Sequence, residues 1–239
     1  MSLRFFRLLK STNGRSIFRS VESAEVTQAK RARSKGELTR QKVLERAFAW
    51  AGASGLPSLT IGELAADLGL SKSGLFAHFG SKEKLQLAVL EYAAGQFEQQ
   101  VFRPALSHPR GLPRLVALFE DWLDWIDGHE RRGCVFLSAA IDFDDREGPV
   151  RDAIADWFGK ADAMITLAMT LAQREGQLGC DADPAQLAFE FHGILLKYHL
   201  ASRLSRRPDG RVRARAALRS LFSHHVTSPG VLSHVFPCS

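Results

Sequence analysis

The sequence predicts an all-α protein with a small N-terminal three-helix unit and a larger helical C-terminal domain. Two observations support this fold class. Apolar residues recur at helical spacing along most of the 239 residues, and glycines and prolines fall at the ends of these stretches. No segment of the sequence shows the alternating pattern of a half-buried β-strand.

The first predicted helix opens at Thr39 and ends at Gly55, with an inner face of apolar residues between Val43 and Ala51. After the next two short helices, prolines and glycines divide the rest of the chain. The remaining predicted helices cover about 82–103, 113–127, 134–143, 149–174, 184–204 and 211–224.

The segment Leu59–Leu85 is the most informative part of the chain. Thr60 is followed three residues later by Glu63, which is the capping-box pattern of a helix start. Gly69 then supplies the left-handed turn that ends a helix, and Ser71 is a good N-cap for the next one. Two short helices joined by a tight turn are typical of a helix-turn-helix, whose second helix enters the DNA major groove.

In a helix-turn-helix, the position of a side chain determines which part of the DNA it contacts. Side chains on the first turn of the second helix face the base edges, and the following residues Phe76 and His78 are expected nearer the sugar-phosphate backbone. Lys82, at the start of the next helix, suits a phosphate clamp. The predicted DNA-binding residues are Thr39, Arg40, Thr60, Ser71, Lys72, Ser73, Gly74, Phe76, His78 and Lys82.

The segment resembles the DNA-binding domain of the TetR family. The family pattern opens a helix with Thr-Arg, as at Thr39 and Arg40, and continues with Leu-Tyr-x-His/Tyr-Phe-x-Ser-Lys, as in 75–82. Phe76 stands where the family usually has Tyr, which removes one phosphate hydrogen bond, about 1 kcal/mol of affinity. The resemblance is strong over about residues 38–90. It implies a helix-turn-helix domain at 38–85, a helical regulatory and dimerisation domain at 86–225 and a C-terminal tail at 226–239.

Residues 1–37 are a basic extension that we expect to be disordered. Met1–Ser20 contains five Lys or Arg residues and no Asp or Glu. Three interpretations stay open: an arm that reaches a DNA minor groove, an over-extended translation start, or a targeting signal. The predicted contacts of an arm are Lys30, Arg31, Arg33 and Lys35.

Charge is unevenly distributed along the chain. The net charge is +7 over residues 1–104, −8 over 105–190 and +7 over 191–239. A basic DNA-binding part and an acidic middle that faces away from DNA are consistent with these values. The basic C-terminal run is either a solvated helix face or a second nucleic-acid contact; it comprises Arg203, Arg206, Arg207, Arg211, Arg213, Arg215 and Arg219.

Several classes of protein are disfavoured. No apolar run approaches the roughly 18 residues of a membrane span, so we predict a cytoplasmic protein without membrane contact. The cysteines Cys134, Cys180 and Cys238 are scattered, which argues against a disulfide framework or a zinc site and leaves open an oxidation sensor at Cys134 or Cys180. Because no catalytic motif is present, we predict no enzyme activity, catalytic residue, metal site or cofactor.

The predicted helix at 184–204 has two apolar faces, and both must be buried. One face can cover its own domain, and the other a partner subunit; the alternative is a central helix in a monomer. The TetR resemblance implies a homodimer formed by the last two helices, and two-fold symmetry implies a palindromic operator. The predicted dimer interface comprises Phe189, Gly193, Leu196, Leu200 and Leu204.

Aromatic residues are concentrated in the middle of the chain. They suit an apolar or aromatic small-molecule effector, although each could be a core residue instead. The predicted pocket comprises Phe119, Trp122, Trp125, Phe136, Trp157, Met164, Met169 and His192. The sequence therefore predicts a DNA-binding regulator, a repressor released by a ligand. The alternative is a DNA-anchored protein-interaction factor without an effector.

Overall fold

The structure is a computed structural model that describes residues 35–128 and 133–236. Those residues form helices and no β-strand, which confirms the predicted all-α class. The predicted arm contacts Lys30, Arg31 and Arg33, and also Cys238, lie outside the described residues.

The N-terminal unit consists of three helices and a short connecting turn. Helix α1 is Lys35–Ser54, a 3-10 turn follows at Leu56–Ser58, and α2 and α3 are Ile61–Asp67 and Lys72–Phe79. Helix α1 starts four residues before Thr39, and an acidic residue in its first turn, Glu37, favours this earlier start. The small core of the unit is closed by fully buried side chains from each helix: Val43, Ala47, Leu64 and Leu75.

Helix α4, Lys82–Phe97, leaves this unit and enters the C-terminal domain. The sequence predicts one regular helix to about residue 103. The structure instead has a π-helical turn at Glu98–Phe102 before a last α-helical turn, Arg103–Ala105. Pro104 has no N–H, and in a regular α-helix its ring would clash with the carbonyl four residues earlier, which belongs to Gln100 in the π-helical turn. The proline thus alters the helix before ending it.

The described part of the C-terminal domain contains six further helices. Four of them begin with proline at the first or second position, where its missing N–H costs nothing. Their bounds are α5 Leu112–Asp127, α6 Val135–Phe143, α7 Pro149–Arg174, α8 Pro184–Arg203, α9 Gly210–Ser223 and α10 Pro229–Val235. The sequence pattern predicts the last helix at 211–224 and a tail at 226–239, but helix α10 lies within that tail. It packs inward through Leu232, which is 9% exposed.

Helix α8 packs between α7 and α9, while α4 packs against both α1 and α7. This arrangement leaves the outer faces of α8 and α9 at the surface, and it makes α4 the continuous connection between the two domains. The largest fully buried side chains are aromatic and come mainly from α5, α6 and α8: Trp122, Phe119, Phe136 and Phe191.

The basic C-terminal run is largely paired within the chain. The guanidinium of Arg211 lies 3.1 Å from Glu120 and 2.6 Å from Asp124 on α5. Arg215 also contacts Glu120, at 2.7 Å. Burial alone would raise the pKa of Glu120, but the hydrogen bonds from Arg215 and Arg211 bring this pKa below its ordinary value. These arginines therefore attach α9 to the acidic face of α5.

Candidate nucleic-acid interface and effector region

Helix α3 is anchored on one face and exposed on the other. Leu75 is fully buried and Phe79 is 5% exposed, so these two residues fix the helix to the core. The side chain of Ser71 accepts a hydrogen bond from the N–H of Gly74 at 3.1 Å, as the N-cap prediction requires. A Cβ at Gly74 would lie 2.9 Å from the Ser71 oxygen, so a larger residue would disturb this cap. The predicted DNA-binding residues exposed along α3 and its cap are Ser71, Lys72, Ser73, Gly74, Phe76 and His78.

The turn before α3 has the geometry that the sequence predicts. Gly69 has φ +64°, and the N–H of Leu70 donates to the carbonyl of Ala65 at 2.8 Å. At the start of α2, the Thr60 hydroxyl oxygen accepts from the N–H of Glu63 at 3.2 Å. The same hydroxyl donates to the Glu63 carboxylate at 2.6 Å. Thr60 and Glu63 therefore pair as the capping-box pattern predicts, with the Glu63 carboxylate bound to the Thr60 hydroxyl.

Basic side chains lie at both ends of the exposed surface. The guanidinium of Arg40, near the start of α1, lies 5.3 Å from the ring centroid of Phe79, beside the end of α3. Thr39, next to it, is half-buried. Lys82 is exposed at the start of α4, and its ammonium donates to the carbonyl of Pro57, which engages one of its three protons.

The N-terminal unit is attached to the C-terminal domain by contacts that no pattern in the sequence predicts. The ring centroid of Phe48, on α1, lies 5.8 Å from that of Trp125. Gln86 is buried and donates to the carbonyl of Leu56 at 3.0 Å. These contacts connect elements at least 30 residues apart, so helical periodicity carries no signal for them.

The predicted pocket residues fall into two groups. Trp122, Trp125 and Trp157 all contact Phe97, with ring centroids 4.8, 5.6 and 5.3 Å away. Phe136 stacks on Trp157 with the centroids 3.9 Å apart. These five residues, Phe97, Trp122, Trp125, Phe136 and Trp157, are called the aromatic cluster below. Phe97 is the last residue of α4 before the π-helical turn.

Of the other predicted pocket residues, His192 contacts the cluster at Trp122, with ring centroids 5.3 Å apart, and the remaining three lie outside it. Phe119 packs on Phe191, with ring centroids 5.4 Å apart. Met164 and Met169 are buried farther along α7. All of these side chains contribute to the core.

A cavity of about 190 Å³ opens beside the aromatic cluster, between α4, α6 and α7. Only two predicted pocket residues, Phe136 and Trp157, line it. The other lining residues are Leu87, Leu90, Glu91, Ala94, Ala153 and Asp156.

Two histidines on α8 lie in the interior. Burial lowers the pKa of His192, although the carboxylate of Asp162, which contacts its Nδ1, opposes this effect. Burial and then the charge of Arg203 lower the pKa of His199 to about 4. The Nε2 atom of His199 lies 3.3 Å from the hydroxyl of Ser138. Within the described ranges, no group of three or more His, Cys, Asp or Glu side chains is arranged to hold a metal ion.

The two described cysteines differ in environment. Cys134 is fully buried at the start of α6, and burial raises the pKa of its thiol. Cys180 is exposed.

The outer face of α8 and α9 carries exposed apolar side chains. Phe189 is 74% exposed and Leu204 is 80% exposed, with Leu196 between them at 40%. Gly193 is exposed and Leu200 is half-buried on the same helix. A groove of about 990 Å³ lies between α8 and α9, and its lining includes Phe189 and Gly193 but not Leu196, Leu200 or Leu204. Among residues 35–128 and 133–236, no helix is long and apolar enough to cross a membrane.

Comparison with known proteins agrees with this architecture. Residues 43–89 match the family model described as bacterial regulatory proteins, tetR family, and residues 111–218 match the model for a tetracyclin repressor-like C-terminal domain. No curated protein sequence matches the chain.

Solved structures show the same fold. A TetR transcriptional regulator from Chloroflexus aurantiacus is 22% identical, with a TM-score of 0.72, covering 81% of this chain and 99% of its own. AibR, in complex with isovaleryl coenzyme A and operator DNA, is 24% identical, with a TM-score of 0.63 and coverage of 76% and 97%.

A third structure is a putative transcriptional regulator from Saccharomonospora viridis in complex with choline. It is 23% identical, with a TM-score of 0.68 and coverage of 80% of this chain and 100% of its own. The two matched family models together span more than half of the 239 residues. The chain therefore belongs to the TetR family of DNA-binding transcriptional regulators.

Proposed function

We propose that the protein is a homodimeric transcriptional repressor that leaves a palindromic operator when a small molecule binds its regulatory domain. The observation that carries this proposal is helix α3, which is capped, anchored by two buried residues and exposed along its outer face. A helix presented in this way fits the major groove.

The proposed DNA contacts divide into two kinds. Lys72 and Ser73, on the first turn of α3, contact base edges and contribute to sequence preference. Arg40, His78 and Lys82 contact the sugar-phosphate backbone, which fixes the register and supplies affinity for any sequence. Thr60, Ser71 and Gly74 shape the N-termini of α2 and α3 and leave backbone N–H groups near the DNA.

The exposed face of α8 and α9 supports a homodimer. Leaving Phe189 and Leu204 in water is unfavourable, and a second copy of the same two helices would cover them. The pairing of Arg211 and Arg215 with Glu120 removes much of the like-charge repulsion that two basic α9 helices would otherwise have. A two-fold axis here would place two α3 helices about one DNA turn apart.

The cavity beside the aromatic cluster is the proposed entry point of the effector. A ligand wedged against Phe136 and Trp157 would push on α4 through its wall residues Leu90 and Ala94. AibR bound to isovaleryl coenzyme A and the choline-bound regulator show that this fold can hold small molecules of different chemistry. Release from DNA requires that the ligand bind the non-DNA-binding state more tightly.

The experiment starts with selection of duplexes by the full chain from a random-sequence library. Enrichment of a palindrome supports the proposed dimeric reader, and the enriched duplex then becomes the probe for compounds that release it. Lys72→Ala should change the enriched sequence, while Lys160→Ala, at a half-buried lysine on α7 that pairs with Asp156, should not. Recovery of no common sequence would contradict the proposal.

The dense packing of the aromatic cluster favours a second candidate function, a DNA-anchored factor that holds a protein partner. Trp122 is fully buried, and Phe136 and Trp157 are stacked. A panel of apolar and aromatic compounds separates the two functions, because ligand binding raises the melting temperature by mass action. A shift with at least one compound supports the effector, and its absence across the panel supports the interaction factor.

A further inference from the structure

An exposed aromatic ring lies on the DNA-facing side of α3. Phe76 is 52% exposed, although its neighbour Leu75 is fully buried. It follows Lys72 by four residues and Ser73 by three, so these three side chains share one face of the helix. His78 lies on the opposite flank. The side chains of the proposed base-reading face are therefore polar on the first turn and aromatic on the second.

The chemistry of the phenyl ring limits what it can recognise. Phe76 has no hydrogen-bond donor or acceptor, so it cannot bind a phosphate oxygen as a hydroxyl would. In the major groove, the apolar group that a base pair presents is the C5-methyl of thymine, and phenylalanine is one of the side chains that contact it. An exposed phenyl on this face thus has one well-matched partner among the base edges.

Gly74 brings the ring closer to the bases. It has no side chain, so the first turn of α3 can approach the base edges closely. Phe76 follows half a turn later on the Lys72 side of the helix, and its ring then falls inside the groove. A base contact at this position would take the place of the backbone contact that the sequence alone predicts for Phe76.

We propose that Phe76 determines sequence specificity by contacting a thymine methyl group in each half-site of the operator. This inference rests on the proposed DNA-binding function. It adds an apolar base contact to the polar ones assigned to Lys72 and Ser73.

Uracil substitution tests the contact at the level of a single methyl group. The probe is the palindromic duplex enriched by the full chain, with each thymine replaced in turn by uracil, which keeps the base pair and its hydrogen-bonding edge. At one thymine per half-site, the loss of one buried methyl should weaken wild-type binding about fourfold. Uracil at thymines in the flanking DNA is the internal control and should have no effect.

Variants assign that effect to the ring. Phe76→Ala should bind the thymine and uracil duplexes equally, whereas Phe76→Tyr keeps the ring and should keep the fourfold ratio. His78→Ala, on the other flank of α3, is the matched control and should also keep it. Because Phe76 is half exposed, Phe76→Ala should melt at the wild-type temperature, so a loss of sensitivity is not a loss of folding.

The possible contrary results distinguish a failure of the Phe76 proposal from a failure of the proposed function. If Phe76→Ala weakens all duplexes but leaves the uracil ratio unchanged, the ring lies on the sugar-phosphate backbone and the proposal is overturned, while the regulator function stands. Insensitivity of the wild type to uracil at every position overturns it in the same way. If no duplex is enriched at all, the proposed function and this inference fail together.

Discussion

The guanidinium of Arg203 donates a hydrogen bond to the carbonyl oxygen of Gly52 at 3.1 Å. Arg203 is the last residue of α8, which carries the proposed dimer face, and Gly52 lies near the end of α1 in the DNA-binding unit. The hydrogen bond therefore connects the two halves of the molecule directly. A change in the packing of α8 can reach the DNA-binding unit without passing through α4.

Removing that connection should loosen the DNA-binding unit. A partly buried hydrogen bond from a charged donor contributes about 1.5–3 kcal/mol, so Arg203→Met should lower the free energy of unfolding by about 1–2 kcal/mol and weaken operator binding. Urea denaturation and gel-shift titration measure the two effects. Arg213→Met is the matched control for the unfolding measurement, because Arg213 is mostly exposed and its guanidinium pairs with Asp209, one turn earlier in the chain. Equal denaturation midpoints for the two variants would argue against the connection.

Lys82 should contribute affinity without sequence preference. Lys82→Ala should weaken binding to the operator and to unrelated duplexes by similar factors and reduce the slope of log K against log salt by about 1. Binding titrations at four salt concentrations measure that slope. Lys160→Ala, on the regulatory domain, should leave it unchanged. An unaltered salt slope for Lys82→Ala would show that the side chain stays on the Pro57 carbonyl when DNA is bound.

The proposed dimer face should be sensitive to charge. Leu204 is 80% exposed in a single chain, so Leu204→Glu should not affect folding, but it would place a carboxylate in the dimer core. Burial of an unpaired charge should raise the dimer dissociation constant by on the order of 100-fold. Analytical ultracentrifugation measures this, with Ile141→Glu on the exposed face of α6 as the control. Dimers of undiminished stability in Leu204→Glu would place the interface elsewhere.

Two glycines should respond to alanine in opposite directions. Gly69 has φ +64°, and a side chain there costs about 1–2 kcal/mol. Gly95 lies inside α4, and a Cβ added there would meet no atom within 4 Å, so alanine should stabilise that helix by about 0.5–1 kcal/mol. Thermal unfolding of Gly69→Ala and Gly95→Ala compares them. The same sign in both variants would be inconsistent with the turn geometry described for the helix-turn-helix.

Stability should fall in mild acid because His199 resists protonation. Its pKa is lowered to about 4 from an ordinary value of 6.5, so the unfolded chain binds a proton more readily than the folded one. The contribution of neutral His199 is complete above pH 6.5 and is lost as the pH falls towards 4. His192, whose pKa is also lowered, adds to this with the same sign. Urea midpoints between pH 7.5 and 4.5 should decline less steeply in His199→Gln, and parallel profiles would refute the assignment.

Local signals in the sequence predict the helix-turn-helix well. The cap at Ser71, the left-handed turn at Gly69 and the anchors Leu75 and Phe79 depend on residues within about ten positions of each other. Local hydrogen bonds and helical spacing determine whether this cap, this turn and these buried contacts form. The same holds for the helices that begin at Pro149 and Pro184.

Features that depend on distant residues are not visible in the pattern. The pairing of Arg211 with Glu120 connects residues 91 positions apart, so the sequence leaves two interpretations of the basic run open. The π-helical turn before Pro104 is one of several ways in which a helix accommodates a proline, and the local pattern does not select among them. The predicted pocket residues are also mostly core residues, because aromatic side chains at helical spacing fill a domain and line a cavity equally well.

The most direct test of the central claim is a footprint of the purified full chain on the DNA flanking its own coding region, with excess competitor DNA. We expect a discrete protected palindrome whose two half-sites are one helical turn apart, as two symmetry-related α3 helices require. Binding that leaves no discrete footprint and disappears with competitor would contradict it.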